Sequence, residues 1–195
     1  MKFLDNPDSQ TLATVAAMHC SELPQSLISK LGKDYALAFY TFAASSPVEF
    51  VLAAIDEDGA VSGGGFVSLS PRDLQRRMIS HTPLFGALLR KPILATRLLA
   101  GELLSLATRK DFNTGSDPEL IAVFVGSGRR SRGIGLKILS HAESALRFRN
   151  CTRYFIRTTD TPDNRAIAFY ERAGFKTVQS LSIHGEPFRF MAKQL

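Results

Sequence analysis

Apolar positions recur at helical spacing through the first part of the chain. Between Ser9 and Cys20 they predict one helix. The residues that carry this pattern are Leu12, Val15, Ala16 and Met18. Residues 25–45 continue the spacing in two pieces, with a break near Gly32. We therefore expect three helices before the first strand.

Runs of apolar and β-branched residues bounded by turn residues predict strands. Two such runs, 49–56 and 61–69, flank an Asp-Glu-Asp-Gly turn and predict a hairpin. Beyond residue 118 the predicted elements alternate. They are a strand at 119–125, a helix from about 133 to 149, a strand at 154–159, a short helix ended by Gly174, and strands at 175–183 and 188–193 joined by a turn at His184-Gly185. The alternation predicts a mixed α/β sheet.

The segment 71–110 differs from the rest of the chain because leucines and basic residues are interleaved in it. It is predicted to be helical, with interruptions at Pro83 and Pro92. Amphipathic, basic helices lie on membranes or hold partners. The alternative, which we favour, is that the leucines pack on the sheet or line a substrate cleft.

The composition is that of a globular enzyme. Hydrophobic residues make up 45% and charged residues 22% of 195 positions, enough for a single domain spanning 1–195 with a sizeable core. The formal net charge of +6 fits an anionic cofactor, and no Lys/Arg run marks a nucleic-acid arm. No stretch has the pattern of a signal peptide or a membrane span. Cys20 and Cys151 have no partner at metal-binding spacing, so we expect a cytoplasmic protein with reduced cysteines.

A loop rich in glycine and arginine is the first candidate for chemistry. It reads GSGRRSRGIG over residues 126–135 and precedes the predicted helix. A helix N-terminus has unpaired N–H groups and a partial positive charge, so it binds phosphate, and Gly133 and Gly135 let the backbone approach a ligand. Three arginines add charged donors: Arg129, Arg130 and Arg132. A Walker loop would need Gly-Lys-Ser/Thr, and a dinucleotide loop would need glycine at Ser131. The loop therefore predicts a pyrophosphate site of another kind.

Two motifs resemble those of the GNAT superfamily of N-acetyltransferases. Arg130-Ser-Arg-Gly133-Ile-Gly135 resembles its Gln/Arg-x-x-Gly-x-Gly/Ala signature, and NRAIAFYERAGF at 164–175 resembles its second acetyl-CoA segment. The resemblance covers residues 118–178, and residues 71–110 have no counterpart in a minimal member. It implies an α/β (α+β) fold with a central mixed, mostly antiparallel twisted sheet of six to seven strands. Helices flank this sheet, and a helical insertion separates strands 3 and 4.

The resemblance also implies acetyl-CoA as the cofactor and assigns residues to it. The strand before the signature splays from its neighbour and pairs its backbone with the pantetheine arm, which here falls on Phe124 and Val125. The loop residues implied to hold the pyrophosphate are Arg130, Ser131, Arg132, Gly133, Ile134 and Gly135. Asn164 is implied to hydrogen-bond the pantetheine. Tyr170 is implied to lie beside the thiol sulfur and protonate the departing thiolate, the alternative being core packing on its helix.

Transfer to an amine also needs a base, because a primary amine is mostly ammonium at neutral pH. Glu119 is the candidate, since histone-type members carry a glutamate base at this strand position. A carboxylate at a partly apolar strand end can have a raised pKa; otherwise Glu119 is a solvated strand-end residue. His19 and Glu22 are further candidates. No metal or covalent intermediate is expected, because direct attack gains from positioning and backbone polarisation of the carbonyl.

These features predict an enzyme that moves acetyl from acetyl-CoA to a primary amine in a ternary complex. Residues 19–32, HCSELPQSLISKLG, resemble a segment of acetyltransferases linked to sugar and polysaccharide synthesis, which implies an amino-sugar acceptor. A polyamine, a lysine side chain and a protein N-terminus are alternatives, as is a CoA-binding regulatory protein without turnover. Nucleic-acid binding is not expected, because the arginines gather in one loop and not along a stripe. The leucines of 71–110 are candidates for a homodimer contact.

Overall fold

A computed structural model describes residues 1–94, 96, 117–183 and 186–195. The strands are β1 (Lys2–Asp5), β2 (Glu49–Ile55), β3 (Val61–Ser68), β4 (Glu119–Val125), β5 (Arg153–Thr159), β6 (Lys176–Ile183) and β7 (Glu186–Gln194). The described helices are α1 (Ser9–Glu22), α2 (Leu27–Leu31), α3 (Lys33–Ser45), α4 (Pro71–His81), α5 (Leu84–Leu89), α6 (Ile134–Phe148) and α7 (Arg165–Arg172).

The strands form one sheet in the order β1-β2-β3-β4-β5-β7-β6. Every neighbouring pair is antiparallel except β4 and β5, which run parallel and are connected through α6. The predicted mixed, mostly antiparallel sheet flanked by helices is therefore confirmed. The helices α4 and α5 stand between β3 and β4, as the predicted insertion requires.

Two apolar clusters cover the two faces of this sheet. On one face α1 to α4 pack on β2, β3 and β4, with Phe39 and Tyr40 of α3 fully buried. On the other face α6 packs on the same strands, and α7 joins it next to β5. We call these the α1/α3 face and the α6 face. Burial on both faces explains why the central strands are continuous apolar runs in the sequence.

Most predicted elements lie within two or three residues of their observed bounds, and β4 lies at its predicted bounds. Strand β1 was not predicted, because Lys-Phe-Leu-Asp is a short edge strand that forms by pairing Leu4 with Ala53 of β2. The predicted turn at His184-Gly185 and residues 97–110 of the insertion lie outside the described residues. Among the helices described, none is long and apolar enough to cross a membrane.

Strand β3 has no side chains at its centre, because three consecutive glycines lie there. A Cβ on Gly63 would lie 2.6 Å from the Phe124 carbonyl oxygen and 2.9 Å from Cδ1 of Ile138 on α6. A Cβ on Gly64 would lie 3.0 Å from the Phe124 ring. The glycines thus let α6 and the ring of Phe124 approach β3 from opposite faces.

We predict that Gly63→Ala lowers the free energy of unfolding by about 1–3 kcal/mol, because the added methyl overpacks the sheet against backbone. Urea denaturation measures this change. Gly86→Ala is the matched control, since its Cβ would meet no atom within 4 Å and alanine favours a helix. Equal midpoints for the two variants would contradict the prediction.

Candidate active site

Strand β4 contains one extra residue, Ile121. Phe66 of β3 is opposite Ala122, and Val67 is opposite Leu120, so Ile121 has no partner in β3. The side chains of Ile121 and Ala122, although adjacent in sequence, both pack on the α1/α3 face, whereas Leu120 packs on the α6 face. Such a β-bulge bends its strand and increases the local twist.

The bulge coincides with the point at which β4 separates from β5. The two strands pair only at Glu119–Phe155 and Leu120–Ile156 in the described ladder. From Ile121 onward a gap opens between them. We call the end at Leu120 the closed end of the gap and the end at Val125 its mouth.

Backbone groups of β4 line this gap at alternate residues. The Gly126 N–H donates to the Ser62 carbonyl of the β2–β3 hairpin at 3.0 Å, and successive residues of a strand direct their backbone groups to opposite sides. Phe124, paired with Gly64, therefore turns its N–H and C=O toward β3. The Phe124 backbone is thus engaged with β3, and its place beside the pantetheine arm stays a prediction. Val123 and Val125 face the gap instead.

The mouth of the gap adjoins the N-terminus of α6. Gly133 has φ +73° and Ser131 has φ +64°, so the loop enters the helix through two left-handed residues. The first helical hydrogen bond runs from Lys137 N–H to the Gly133 carbonyl, and no side chain caps the helix. The N–H groups of Ile134, Gly135 and the next residue thus have no helical acceptor.

Gly135 lies at the mouth of the gap, in contact with α7. A Cβ on Gly135 would lie 3.2 Å from the ring of Phe169 and 3.8 Å from the Val125 side chain. The end of β4, the first turn of α6 and α7 therefore meet at this residue. A larger side chain would separate these elements.

The side chain of Arg130 crosses the mouth. Its Nε donates to the Val125 carbonyl at 3.3 Å, and its guanidinium forms an ion pair with Glu22 at the end of α1. The other Glu22 oxygen accepts the Ser127 N–H at 2.9 Å. Glu22, considered above as a base, is thus engaged in holding the loop. No sequence signal predicts this contact, because Glu22 and Ser127 are 105 positions apart.

The other two loop arginines differ from Arg130. Arg129 forms an ion pair with Asp56 and donates to the Ser62 hydroxyl at 3.2 Å, which anchors the loop to the β2–β3 hairpin. Arg132 is exposed beside Gly133. Arg130 is therefore the arginine that borders the gap.

Tyr170 is buried on the α6 face of the sheet. It belongs to the same buried cluster as Leu120 and Ile156, the last residue pair joining β4 to β5. Its ring packs edge-on against Phe169 and Phe175, at centroid distances of 5.1 and 5.5 Å. Burial raises the pKa of the Tyr170 phenol to about 12. The hydroxyl therefore retains its proton at neutral pH.

Asn164 caps α7 beside the open part of the gap. Its Oδ1 accepts the Ala166 N–H at 3.0 Å, and its Nδ2 donates to the Thr159 carbonyl at 2.6 Å and the Thr158 hydroxyl at 2.8 Å. The amide hydrogens are thus used within the protein. A carbonyl oxygen has two lone pairs, so Oδ1 retains one for a ligand.

Glu119 lies next to the closed end, on the α1/α3 face. Its side chain is opposite Ser68 of β3 and Phe155 of β5 in the sheet register. Burial raises the pKa of the Glu119 carboxyl, and the Arg157 guanidinium, 3.7 Å away, partly offsets this rise. Tyr170 and Glu119 therefore lie on opposite faces of the sheet.

A family model for the acetyltransferase (GNAT) family matches residues 34–175. The chain belongs to this family. No curated protein is similar enough in sequence to match it.

Solved structures share the fold of this GNAT protein over its full length. An aminoglycoside 6'-acetyltransferase type Ii has a TM-score of 0.64 at 16% identity, covering 100% of this chain and 97% of its own. A ribosomal-protein-alanine N-acetyltransferase from Brucella melitensis has a TM-score of 0.64 at 16% identity, covering 100% of both chains. PaiA N-acetyltransferase from Thermoplasma acidophilum, solved with coenzyme A, has a TM-score of 0.63 at 12% identity over 100% of both chains. These likenesses show the fold.

In this GNAT protein His19 is part of a buried hydrogen-bond chain. Its Nδ1 lies 2.7 Å from the Tyr40 hydroxyl and its Nε2 lies 2.7 Å from the Ser26 hydroxyl. Burial lowers the pKa of His19 to about 4, so the ring is neutral at physiological pH. Its edge contacts the ring of Phe124 at 5.4 Å. With both nitrogens engaged, His19 joins α1 to α2, α3 and β4.

Proposed function

We propose that this GNAT protein transfers the acetyl group of acetyl-CoA to a primary amine, which attacks the thioester directly in a ternary complex. The gap between β4 and β5 beyond Leu120 carries the proposal. It offers β4 backbone groups that no neighbouring strand pairs and an uncapped helix N-terminus at its mouth. An extended chain with a diphosphate at one end fits both features.

The pyrophosphate is assigned to the mouth. The backbone of Arg130, Ser131, Arg132, Gly133, Ile134 and Gly135 provides the donors there. Free N–H groups and the partial positive charge of a helix N-terminus favour this anion. Arg130, which pairs with Glu22 in this structure, is the charged donor nearest to the gap.

The pantetheine arm is assigned to the gap. Val123 and Val125 present backbone donors and acceptors to it, in the way that a strand pairs with a neighbour. The free lone pair of Asn164 Oδ1 can accept one amide hydrogen from the arm. The ring of Phe124 supports the strand from the α1/α3 face through its contact with His19.

Bound acetyl-CoA supplies an acetyl group activated as a thioester. Tyr170, protonated at neutral pH, holds a proton on the α6 face for the departing sulfur, as a general acid does. Glu119 accepts the proton that the acceptor ammonium loses, directly or through water, which leaves the neutral amine to attack. The unpaired β4 N–H groups polarise the acetyl carbonyl. Acid and base on opposite faces keep the two proton transfers apart.

The acceptor is proposed to be a small amine, and an amino sugar is the favoured class. The resemblance of residues 19–32 supports it, and two fold neighbours are aminoglycoside acetyltransferases. The negative charge of Glu119 on the α1/α3 face attracts an ammonium group. Protein N-termini and lysine side chains are the competing acceptors in an acetylation assay.

Thermal unfolding with acetyl-CoA, CoA, NAD and ATP added separately tests the cofactor. A ligand at a hundred times its Kd stabilises by about 2.7 kcal/mol, which raises Tm by roughly 5 to 10 °C in a chain of this size. We expect this shift with acetyl-CoA and CoA only. A shift with NAD or ATP alone, or with none, would refute the assignment. A CoA shift without turnover on a broad amine panel would favour a binding protein without catalysis.

We predict that Glu119→Gln lowers kcat/KM about 100-fold or more, the usual contribution of a general base. The wild-type rate should fall as pH drops through the raised pKa of Glu119, and the variant should lose this acidic limb. A pH–rate profile of both proteins measures the difference. An unaltered limb would place the base elsewhere.

The same variant also has a predicted effect on stability. Because the folded-state pKa of Glu119 is raised, the folded protein binds the proton more tightly than the unfolded chain. Wild-type stability should therefore fall as pH rises from the ordinary glutamate pKa through the raised one. Glu119→Gln, which stays neutral, should escape this loss, so its Tm at pH 8 should be no lower than that of the wild type.

A further inference from the structure

Helix α5 and the residues after it present apolar side chains to solvent. Phe85, Leu89 and Ile93 follow one another at four-residue spacing and are 72%, 83% and 72% exposed. Arg90 and Lys91, also exposed, stand between the last two. Large apolar side chains grouped in this way mark an interaction surface. We call these five residues the α5 patch.

A cavity of about 430 Å³ adjoins the α5 patch. Its lining combines three cations with apolar side chains: Lys30, Arg90, Lys91, Pro92, Ile93 and Leu94. Lys30 comes from α2, so a second element contributes positive charge to the same place. No acidic side chain lines the cavity among the described residues. Its chemistry fits an anionic group attached to an apolar body.

The segment 71–110, which carries the α5 patch, is strongly basic. Eight of the 24 Lys and Arg residues and two of the 18 Asp and Glu residues lie between positions 71 and 110, which gives that segment +6. The remaining positions, with 16 residues of each sign, have no net charge. The segment that carries the α5 patch thus has a clear excess of positive charge.

We propose that the α5 patch docks the protein on the surface of an anionic phospholipid membrane. Phe85, Leu89 and Ile93 would enter the boundary between headgroups and acyl chains, where apolar side chains of interfacial helices lie. Arg90, Lys91 and Lys30 would contact lipid phosphates, each adding electrostatic attraction to an anionic leaflet. The proposal is independent of the acetyl-transfer reaction.

Charge and burial together select this occupant over two others. A second copy of the chain would bring the cations Lys30, Arg90 and Lys91 near the same cations of its partner, and like charges oppose that contact. A nucleic acid would neutralise the cations but leave the three apolar side chains in water. An anionic membrane buries the apolar side chains of the α5 patch and also pairs its cations with phosphates. Among the described leucines of the insertion, Leu74, Leu84, Leu88 and Leu94 pack with the α1/α3 cluster, whereas Leu89 is exposed.

Flotation of the full-length protein with vesicles tests the proposal. We expect binding to vesicles of phosphatidylcholine with 30% phosphatidylglycerol, weaker binding in high salt, and none to pure phosphatidylcholine. Phe85→Ser with Leu89→Ser, and separately Arg90→Glu with Lys91→Glu, should each lower the partition coefficient about tenfold or more. Because these side chains are exposed, both variants should retain the wild-type Tm.

Matched controls change the same chemistry elsewhere on the molecule. Phe148→Ser removes a side chain that is 87% exposed at the end of α6, and Arg172→Glu with Lys176→Glu makes the same charge change on exposed residues near α7. Both controls should bind vesicles as the wild type does. Equal loss in controls and patch variants would overturn the proposal. A wild-type protein that does not bind anionic vesicles would also overturn the proposal. This holds even if the protein binds inorganic phosphate at the cavity, or forms a dimer that the patch variants dissociate.

Discussion

Replacing Gly133 by glutamate is expected to abolish coenzyme A binding. Gly133 occupies the N-cap of α6 with φ +73°, so the new side chain starts beside the free N–H groups of the helix. Its carboxylate would accept hydrogen bonds from those groups and occupy the place assigned to the pyrophosphate. Repulsion between the two anions at close range would cost about 1–4 kcal/mol, which is roughly a 5- to 1,000-fold rise in Kd, in addition to the lost donors.

Isothermal titration with CoA measures this effect, and Gly133→Ala separates its causes. A side chain at positive φ costs about 1–2 kcal/mol of conformational energy, and both variants carry that cost. A Cβ at Gly133 meets no atom within 4 Å, so alanine causes no collision. The glutamate variant should therefore bind CoA far more weakly than the alanine variant. Equal Kd values for the two variants would contradict the assignment of the pyrophosphate to the N-terminus of α6.

Tyr170→Phe is expected to lower kcat about 100-fold or more while leaving the Kd for CoA nearly unchanged. General acid catalysis contributes about 100- to 10,000-fold, and the substitution removes only the proton donor. Phenylalanine retains the packing against Phe169 and Phe175, so the buried cluster on the α6 face should keep its shape. The pKa of about 12 means that the tyrosine is protonated throughout the assay range. Its loss should therefore lower the rate at every pH.

Steady-state kinetics and CoA titration of Tyr170→Phe are best compared with Tyr154→Phe. Tyr154 is a buried tyrosine of the same cluster, and its hydroxyl donates to Glu143 at 2.8 Å. Removing that hydroxyl should lower stability by about 1 kcal/mol, a typical net hydrogen-bond contribution, with little change in kcat. If the kcat of Tyr170→Phe equals that of the wild type, Tyr170 is not the general acid and serves only in packing.

The sequence could predict the main features of the fold because the apolar runs and turn residues are local signals. Gly174, at φ +93°, ends α7 as expected, and the bounds of β4 are obvious from its apolar run. The bulge at Ile121 could not be predicted. Both faces of β4 are buried, so ELIAVFV shows no alternation from which a change of register could be seen. That single residue decides where the gap opens and which backbone groups line it.

The candidate site was only partly predictable for a related reason. A phosphate loop leaves a local pattern of glycine and arginine, so Gly133 and Gly135 could be identified from the sequence. The pairing of Arg130 with Glu22 and the burial of His19 depend on contacts between distant segments. A list of polar residues cannot distinguish a base from a structural side chain. Only the packing of α1 against β4 and the loop makes that distinction.

Strand β4 is shared between the two ligands of the proposed reaction. Its Val123 and Val125 edges line the gap, while the Phe124 ring contacts His19 on the opposite face. A coenzyme that straightens or shifts this strand would change the packing of α1, and an acceptor that orders α1 would act on the strand in return. Thermodynamic linkage makes such an influence reciprocal: each ligand alters the affinity for the other by the same factor. Cooperativity between the two substrates would then be a direct consequence of a one-residue bulge.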